Sequence, residues 1–274
     1  MTALALFASL LWGVADFVAG TASRRLHPLA VTGAAHTVGF VGLLTWALLD
    51  GGLGGWRDWL PLALVGGVFA YLGLAAFYAA LARGRMGVVA PVTASGSALP
   101  VLYDLVRGEV PPPLQLAGLA LAVAGCILAS GPELRGGTPP VVMALTLFSA
   151  VSYGILMVVI ARGSEHHPAQ TLAGLRLSSV ILVVALALVA GSAGGLRRGD
   201  VRLVAFVGLA DTGANVGYAL ASRLGQIAVA AVLASLFPVV TALLARFVHD
   251  ERLRGVQLAG VVGALVGVVL IAAG

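Results

Sequence analysis

Charged residues are scarce in this chain of 274 residues: they make up 10% of it, and lysine is absent. A soluble globular domain carries about 25% charged residues. Hydrophobic residues reach 60%, and the mean hydropathy is +1.04. This composition excludes a soluble domain as the main body of the protein and predicts that most of the chain lies in lipid.

Other absences narrow the function. The one cysteine, Cys126, cannot form an internal disulfide and has no metal-ligand partner at a recognisable spacing. No nucleophile elbow, phosphate-cradling glycine loop or metal-ligand cluster occurs, so we predict no catalytic residues, no metal, no cofactor and no ATP-driven mechanism. The net charge is +5, but the sixteen arginines are scattered, all except Arg176 near the ends of apolar segments, and we predict no nucleic-acid partner.

Ten apolar stretches meet or approach the roughly 20 residues that one membrane span needs. Helices are the expected form, because backbone polar groups in hydrocarbon must be satisfied within the segment. The connections are too short to hold a soluble domain. The stretches are 2–20, 29–49, 60–82, 87–106, 114–130, 140–161, 169–190, 201–222, 226–247 and 255–273.

The second half of the chain echoes the first. The tetrapeptide Gln-Leu-Ala-Gly at 115–118 recurs at 257–260, and His-Pro at 27–28 recurs at 167–168. Such an internal duplication in a membrane protein predicts two structural repeats with a site between them.

Each half contains five spans, an odd number, so the second copy enters the bilayer from the opposite face. We therefore predict an all-α integral membrane protein with ten transmembrane helices, arranged as two inverted five-helix repeats. The first repeat covers 1–130, a connecting loop covers 131–139, and the second repeat covers 140–274.

Short motifs in both halves carry a family resemblance. They are Leu11-Trp12-Gly13, Glu109 followed by 115–118, Glu251 followed by 257–260, and the prolines Pro91, Pro100 and Pro238 in spans four and nine. With ten spans, this pattern resembles the drug/metabolite transporter (DMT) superfamily in its two-repeat EamA form. The resemblance implies secondary transport of a small metabolite or drug, mostly export, in a multi-pass protein of the bacterial plasma membrane.

The orientation stays open at this point. Arginines are more frequent in the odd-numbered connections than in the even-numbered ones, which places both termini outside by the positive-inside rule. The family resemblance implies termini in the cytoplasm.

Few ionisable residues sit well inside the spans, and each should face the bundle interior or a wet cavity. His36 and Arg176 are 140 residues apart, and each lies eight residues after the proline that opens its span, about 12 Å into the membrane. Asp16 lies on the same side as His36 at a similar depth. Asp211 approaches the depth of Arg176.

Two groupings result. Asp16 with His36 forms a titratable couple that could carry a coupling proton, because histidine titrates near neutral pH. Asp211 and Asn215, four residues apart on one helix face, group with Arg176. The alternative for both groupings is a buried ion pair that only fixes helix packing.

Aromatic residues at helical spacing complete the candidate site, because aromatic walls with a polar tip suit an amphipathic ligand. We predict a small-molecule substrate between the halves. The candidate substrate-binding residues are Trp12, Asp16, Tyr71, Tyr78, Arg176, Asp211, Asn215 and Tyr218, and those for proton coupling are Asp16 and His36.

Three alternatives remain. Small residues four apart, Gly118 with Ala122 and Gly263 with Gly267, serve either bundle packing or a homodimer interface. The chain could be an intramembrane enzyme acting on a lipid-linked substrate, provided that the carboxyls of Asp16 and Asp211 meet. It could also be a non-transporting accessory subunit, which would need no buried charges around a cavity.

Overall fold

A computed structural model of the protein describes residues 1–129, 139–191, 195–249 and 255–273, and within these ranges it contains helices and no β-strand. Two short 3₁₀ helices, Ser95–Ser97 and Arg198–Asp200, accompany the α-helices. The α-helices are α1 Thr2–Ala22, α2 Pro28–Leu49, α3 Trp56–Arg83, α4 Met86–Ala94, α5 Ala98–Val106, α6 Pro113–Ala129, α7 Pro140–Gly163, α8 Pro168–Ala190, α9 Val201–Arg223, α10 Ile227–Ala234, α11 Phe237–His249 and α12 Gly255–Ala273.

The predicted all-helical architecture is confirmed for these residues. Eight helical segments are long and apolar enough to cross a bilayer: 2–22, 28–49, 56–83, 86–106, 140–163, 168–189, 198–223 and 227–248. A further apolar helix, Pro113–Gly125, is shorter. The count of ten spans is therefore not confirmed and stays a prediction. The connecting loop up to residue 138, and Glu251, lie outside the described residues.

Proline sets several of the helix starts. α2, α7 and α8 each begin at a proline, whose fixed φ suits the first helical position and whose missing N–H would be unpaired there anyway. α8 ends at Gly191, whose φ of 60° is the left-handed conformation that commonly closes a helix.

Two of the predicted spans are broken rather than continuous. Span four divides into α4 and α5 at Ser95–Ser97, and span nine divides into α10 and α11 at Ser235 and Leu236. The hydroxyls of Ser95 and Ser235 each donate to a backbone carbonyl of the preceding turn, at 2.6 Å, and so compete with the helical hydrogen bonds. The two breaks are 140 residues apart, at equivalent places in the two halves.

The halves interlock through their first three spans. α1 packs mainly on α9, α3 packs on α7 and α8, and α2 packs on α8 and α9. Large aromatic side chains such as Tyr71, Tyr78 and Phe237 are buried, whereas aliphatic side chains such as Leu49 and Val189 are largely exposed. An apolar outer surface of this kind is what lipid requires.

Close helix contact within the chain explains the paired small residues. A Cβ added at Gly267 of α12 would lie 2.6 Å from the backbone nitrogen of Ala122 and 2.8 Å from the carbonyl oxygen of Gly118. Gly263 likewise faces Gly125 of α6. These residues therefore pack α6 against α12, as the bundle-packing alternative predicts. The homodimer has no support in this contact.

Gly67 tests the packing between the halves. A Cβ added there would lie 2.5 Å from both the carbonyl oxygen of Leu175 and the Cβ of Ser178 on α8. We expect Gly67→Ala to destabilise the protein by about 1–3 kcal/mol, because the extra methyl group forces α3 and α8 apart. Thermal unfolding in detergent measures the effect. The control is Gly42→Ala in α2, where an added Cβ meets no atom within 4 Å. Equal melting temperatures for the two variants would contradict close packing.

Candidate functional site

A small cavity that is lined by both charged and apolar side chains lies inside the bundle. Its volume is about 50 Å³, and helices of both halves build its wall. We call it the central cavity. It is lined by Trp12, Asp16, His36, Phe69, Ala70, Gly73, Leu74, Phe77, Thr93, Ser149, Tyr153, Leu156, Arg176, Asp211, Asn215 and Phe237. Six of the nine predicted site residues thus meet here, although they come from α1, α2, α8 and α9.

Asp211 is the centre of the polar network. Its carboxylate forms an ion pair with the Arg176 guanidinium, and both side chains are buried. The indole N–H of Trp12 donates to the same carboxylate at 3.2 Å. Asn215, one turn further along α9, donates to the Asp211 carboxylate at 3.2 Å and to the Asp211 carbonyl at 2.6 Å. Arg176, Asp211 and Asn215 are thus in contact, as the sequence predicts, whereas their role in substrate binding stays a prediction.

Asp16 has a different environment. It is buried, and its carboxyl lies beside the hydroxyl of Tyr78 and near the carboxylate of Asp211. Within the described ranges, no cation lies within ion-pair distance of Asp16. The cavity therefore contains one compensated carboxylate and one that has no cationic partner.

His36 faces the cavity with unused hydrogen-bonding capacity. The side chain is fully buried, and neither ring nitrogen has a hydrogen-bond partner in the described part of the chain. Arg176 is the charged neighbour of His36. The imidazole ring of His36 makes an edge contact with the ring of Tyr71, with 6.2 Å between the two centroids. The predicted pairing of Asp16 with His36 needs correction: both residues line the cavity, but they form no hydrogen bond.

Aromatic rings form the apolar part of the wall. The Trp12 ring packs against Tyr153 at 5.6 Å between centroids, and Tyr153 in turn packs against Phe237 at 5.6 Å. Phe77 meets Phe237 at 6.1 Å. Tyr153, Phe77 and Phe237 are absent from the site residues that the sequence predicted. The repeat between the two halves could have indicated Tyr153, because Trp12-Gly13 in the first half matches Tyr153-Gly154 in the second half at a spacing of 141 residues.

Three predicted tyrosines do not line the central cavity. Tyr218 is buried, and its ring packs against that of Trp12 at 6.1 Å between centroids. Its hydroxyl donates to the carbonyl of Met157 at 3.1 Å. Tyr78 is buried, and its hydroxyl lies beside the carboxyl of Asp16. Tyr71 donates its hydroxyl to the carbonyl of Leu29 at 3.1 Å and lines a second cavity instead. The prediction that these three tyrosines border the central cavity is therefore wrong for the described structure: Tyr78 and Tyr218 pack between helices, and Tyr71 lines the second cavity.

The second cavity is much larger, about 680 Å³, and lies between α2, α8 and the start of α9. We call it the side cavity. Its wall is almost wholly apolar, with a polar end at His27, Arg197 and Asp200. Within the residues that the structure describes, no group of three or more His, Cys, Asp or Glu side chains could hold a metal ion.

Comparison with known proteins agrees with this architecture. The family model described as the EamA-like transporter family matches residues 1–131 and again 141–273. A solved crystal structure of a protein superposes with a TM-score of 0.75 at 22% sequence identity, covering 98% of this chain and 95% of that chain, which shows a shared fold. Among curated proteins, none matches the chain.

The Arg176–Asp211 pair gives a test of the network. We expect Arg176→Ala to destabilise the protein by about 3–5 kcal/mol, because it leaves a buried carboxylate without its cation. The double variant Arg176→Gln with Asp211→Asn removes both charges and should recover most of the stability. Thermal unfolding in detergent compares the three proteins.

Arg162→Gln serves as the control, because Arg162 forms a partly exposed ion pair with Glu165, and such a pair contributes only about 0–1 kcal/mol. If Arg176→Ala melted like Arg162→Gln, Asp211 would not depend on Arg176.

Proposed function

Since the chain belongs to the EamA-like transporter family and is a multi-pass membrane transporter of the DMT type, we propose that it is a secondary active transporter of a small metabolite or drug-like solute. The observation that carries the proposal is the central cavity, where buried charged groups of both halves face one space. Ionisable residues inside a membrane protein mark substrate or ion pathways. Alternating access would expose this cavity to each side of the bilayer in turn.

The size of the central cavity supports a mechanism with moving parts. Sites for small molecules usually measure about 300–1,000 Å³, whereas this cavity has about 50 Å³. It can hold water but no metabolite of ordinary size. The helices around it must therefore separate before a solute binds. The broken spans at Ser95–Ser97 and Ser235 are natural places for such movement, because discontinuous helices at matching positions of two repeats border the binding sites of many transporters.

We further propose that the two halves are inverted repeats. Three equivalences support this: His36 with Arg176, Trp12 with Tyr153, and the helix break at Ser95 with that at Ser235. The first two pairs meet at the central cavity. An axis in the membrane plane would bring equivalent residues of the two halves together at the midplane in this way.

The substrate should be charged or zwitterionic and carry an apolar part. A carboxylate of the solute would compete for Arg176, an ammonium group would bind Asp16, and the apolar part would pack on Trp12, Tyr153 and Phe237. Export, and location in a bacterial plasma membrane, are proposals that rest on the family resemblance. Asp16 and His36 are the groups that we propose for proton coupling, since neither forms an ion pair with any residue that the structure describes.

Two other functions receive less support. An intramembrane enzyme would need Asp16 and Asp211 as a free carboxyl pair. The two groups are neighbours, but Asp211 is already bound by Arg176, Trp12 and Asn215. A non-transporting accessory subunit would have no need for a carboxyl without a cationic partner at the centre of its bundle.

Asp16→Asn tests the coupling. We expect this variant to fold but to lose the stimulation of transport by a pH gradient, because an amide cannot take up the proton. Three labelled solutes that share a phenyl ring and differ in charge serve as probes in proteoliposomes: phenylalanine, phenethylamine and phenylacetate. Asp58→Asn, in the first turn of α3, is the control. Unchanged gradient stimulation in Asp16→Asn would remove Asp16 from the coupling.

A second readout needs no substrate. With Trp46, Trp56 and Trp59 replaced by Phe, Trp12 is the remaining tryptophan and reports on the cavity. We expect its fluorescence to change with pH and expect Asp16→Asn to abolish that change. A titration that survives in Asp16→Asn would assign the proton to another group.

The inverted topology predicts that Gly54 and Gly199 lie on opposite faces of the membrane, because five crossings, including α6, separate them. An added Cβ meets no atom within 4 Å at either glycine. In a Cys126→Ala background, Gly54→Cys and Gly199→Cys should react with a membrane-impermeant maleimide from opposite sides. Labelling of both from the same side would mean that α6 does not cross, and the reactive side in intact cells fixes the orientation.

A further inference from the structure

The side cavity is built like a site for a hydrocarbon chain. It has about 680 Å³, and its wall includes Leu29, Ala34, Val38, Val183, Leu186 and Val204. This volume falls within the range of about 300–1,000 Å³ that is typical of ligand sites. The central cavity lies elsewhere, and Tyr71 is absent from its wall, so the two are distinct spaces.

The depth of the side cavity matches one leaflet of a bilayer. Along α2 its lining runs from Leu29, next to the start of the helix, to Val38. Nine residues of α-helix rise about 14 Å. The hydrocarbon core of a bilayer is about 30 Å thick, so the cavity reaches from the interface to about the midplane. An acyl chain of one leaflet covers the same distance.

The mouth of the side cavity is positively charged. The two described segments that frame it, 23–27 and 195–202, contain five arginines and a single acid, Asp200. Asp200 already forms an ion pair with Arg25 at 2.7 Å and accepts the backbone N–H of Arg197 at 3.0 Å. The remaining positive charge stands where a lipid headgroup would lie.

We propose that the side cavity binds a phospholipid with an anionic headgroup, with one acyl chain between α2, α8 and α9 and the phosphate on Arg197 and His27. A guanidinium presents its N–H groups in a fork that matches phosphate oxygens. Clustered arginines at the membrane surface favour anionic lipids over neutral ones. Charge, depth and apolar lining thus point to the same ligand.

The inner end of the cavity connects this lipid to the central cavity. Tyr71 lines the side cavity, and its ring meets that of His36, which lines the central cavity. The hydroxyl of Tyr71 is held by the carbonyl of Leu29, at the outer part of the same cavity. A bound acyl chain would therefore press on the side chain that separates the two spaces.

Native mass spectrometry of the detergent-purified protein tests the proposal with two lipids that have identical chains, phosphatidylglycerol and phosphatidylcholine. We expect phosphatidylglycerol to bind more tightly, and we expect Arg197→Gln to weaken it about fivefold. The effect on phosphatidylcholine should be smaller, because its choline cation already balances the phosphate. Arg57→Gln, on an exposed residue at the other end of the bundle, is the matched control. Equal binding of both lipids, or equal effects of both variants, would contradict the proposal that the charged mouth of the side cavity selects an anionic headgroup.

Ala34→Trp tests the chain site, because the indole would occupy the cavity. We expect the loss of tight binding for both lipids, whereas Leu209→Trp, at a position that is 65% exposed on α9, should bind like the wild type. Oleate is the third probe. If oleate bound as tightly as phosphatidylglycerol, the phosphate would play no part, and the phospholipid assignment would be wrong.

A cross-linking experiment on the wild-type protein does not depend on how the variants fold. Phosphatidylglycerol with a diazirine in the middle of one chain should label the peptides that contain 29–38 and 183–189. Labels confined to the outer faces of other helices would overturn the proposal.

Discussion

The buried pair of Arg176 and Asp211 is the interaction on which the centre of this structure depends. Two charges within an apolar bundle are tolerated only when they are paired and their remaining hydrogen-bonding groups are satisfied. Here Trp12 and Asn215 supply the further donors to Asp211. Because Trp12 belongs to α1, Arg176 to α8 and Asp211 to α9, the requirement to satisfy one carboxylate fixes three helices from both halves around one point.

The polar groups that this network leaves unpaired support the proposed site over a purely structural core. A network that only holds helices together is most stable when every member is satisfied. At the central cavity, Asp16 has no cation, and the two ring nitrogens of His36 have no hydrogen-bond partners within the described ranges. These groups face a space that can hold water, so a solute or a proton can supply what the protein does not.

The two cavities differ in volume and in the polarity of their walls. The central cavity has polar groups from both halves and little volume, whereas the side cavity has volume and an apolar wall with charge only at its mouth. Tyr71 and His36 are the contact between them. Under the proposed lipid binding, these two rings would form the path by which an occupied side cavity affects the central cavity.

The sequence by itself determined the helical, membrane-embedded architecture. A chain with so few charged residues lies mostly in lipid, and in lipid a helix satisfies the backbone hydrogen bonds within the segment. It also determined how deep each polar residue lies, since depth follows from the number of residues after a helix start, and this was enough to group Arg176 with Asp211 and Asn215. Only the tertiary structure decided that Trp12 binds Asp211, that Asp16 and His36 line one cavity without a hydrogen bond between them, and that Tyr71 lines a different cavity. Position along a helix gives depth, but the direction in which a side chain points depends on how each helix is rotated against its neighbours, and that rotation is set by packing between residues distant in the chain.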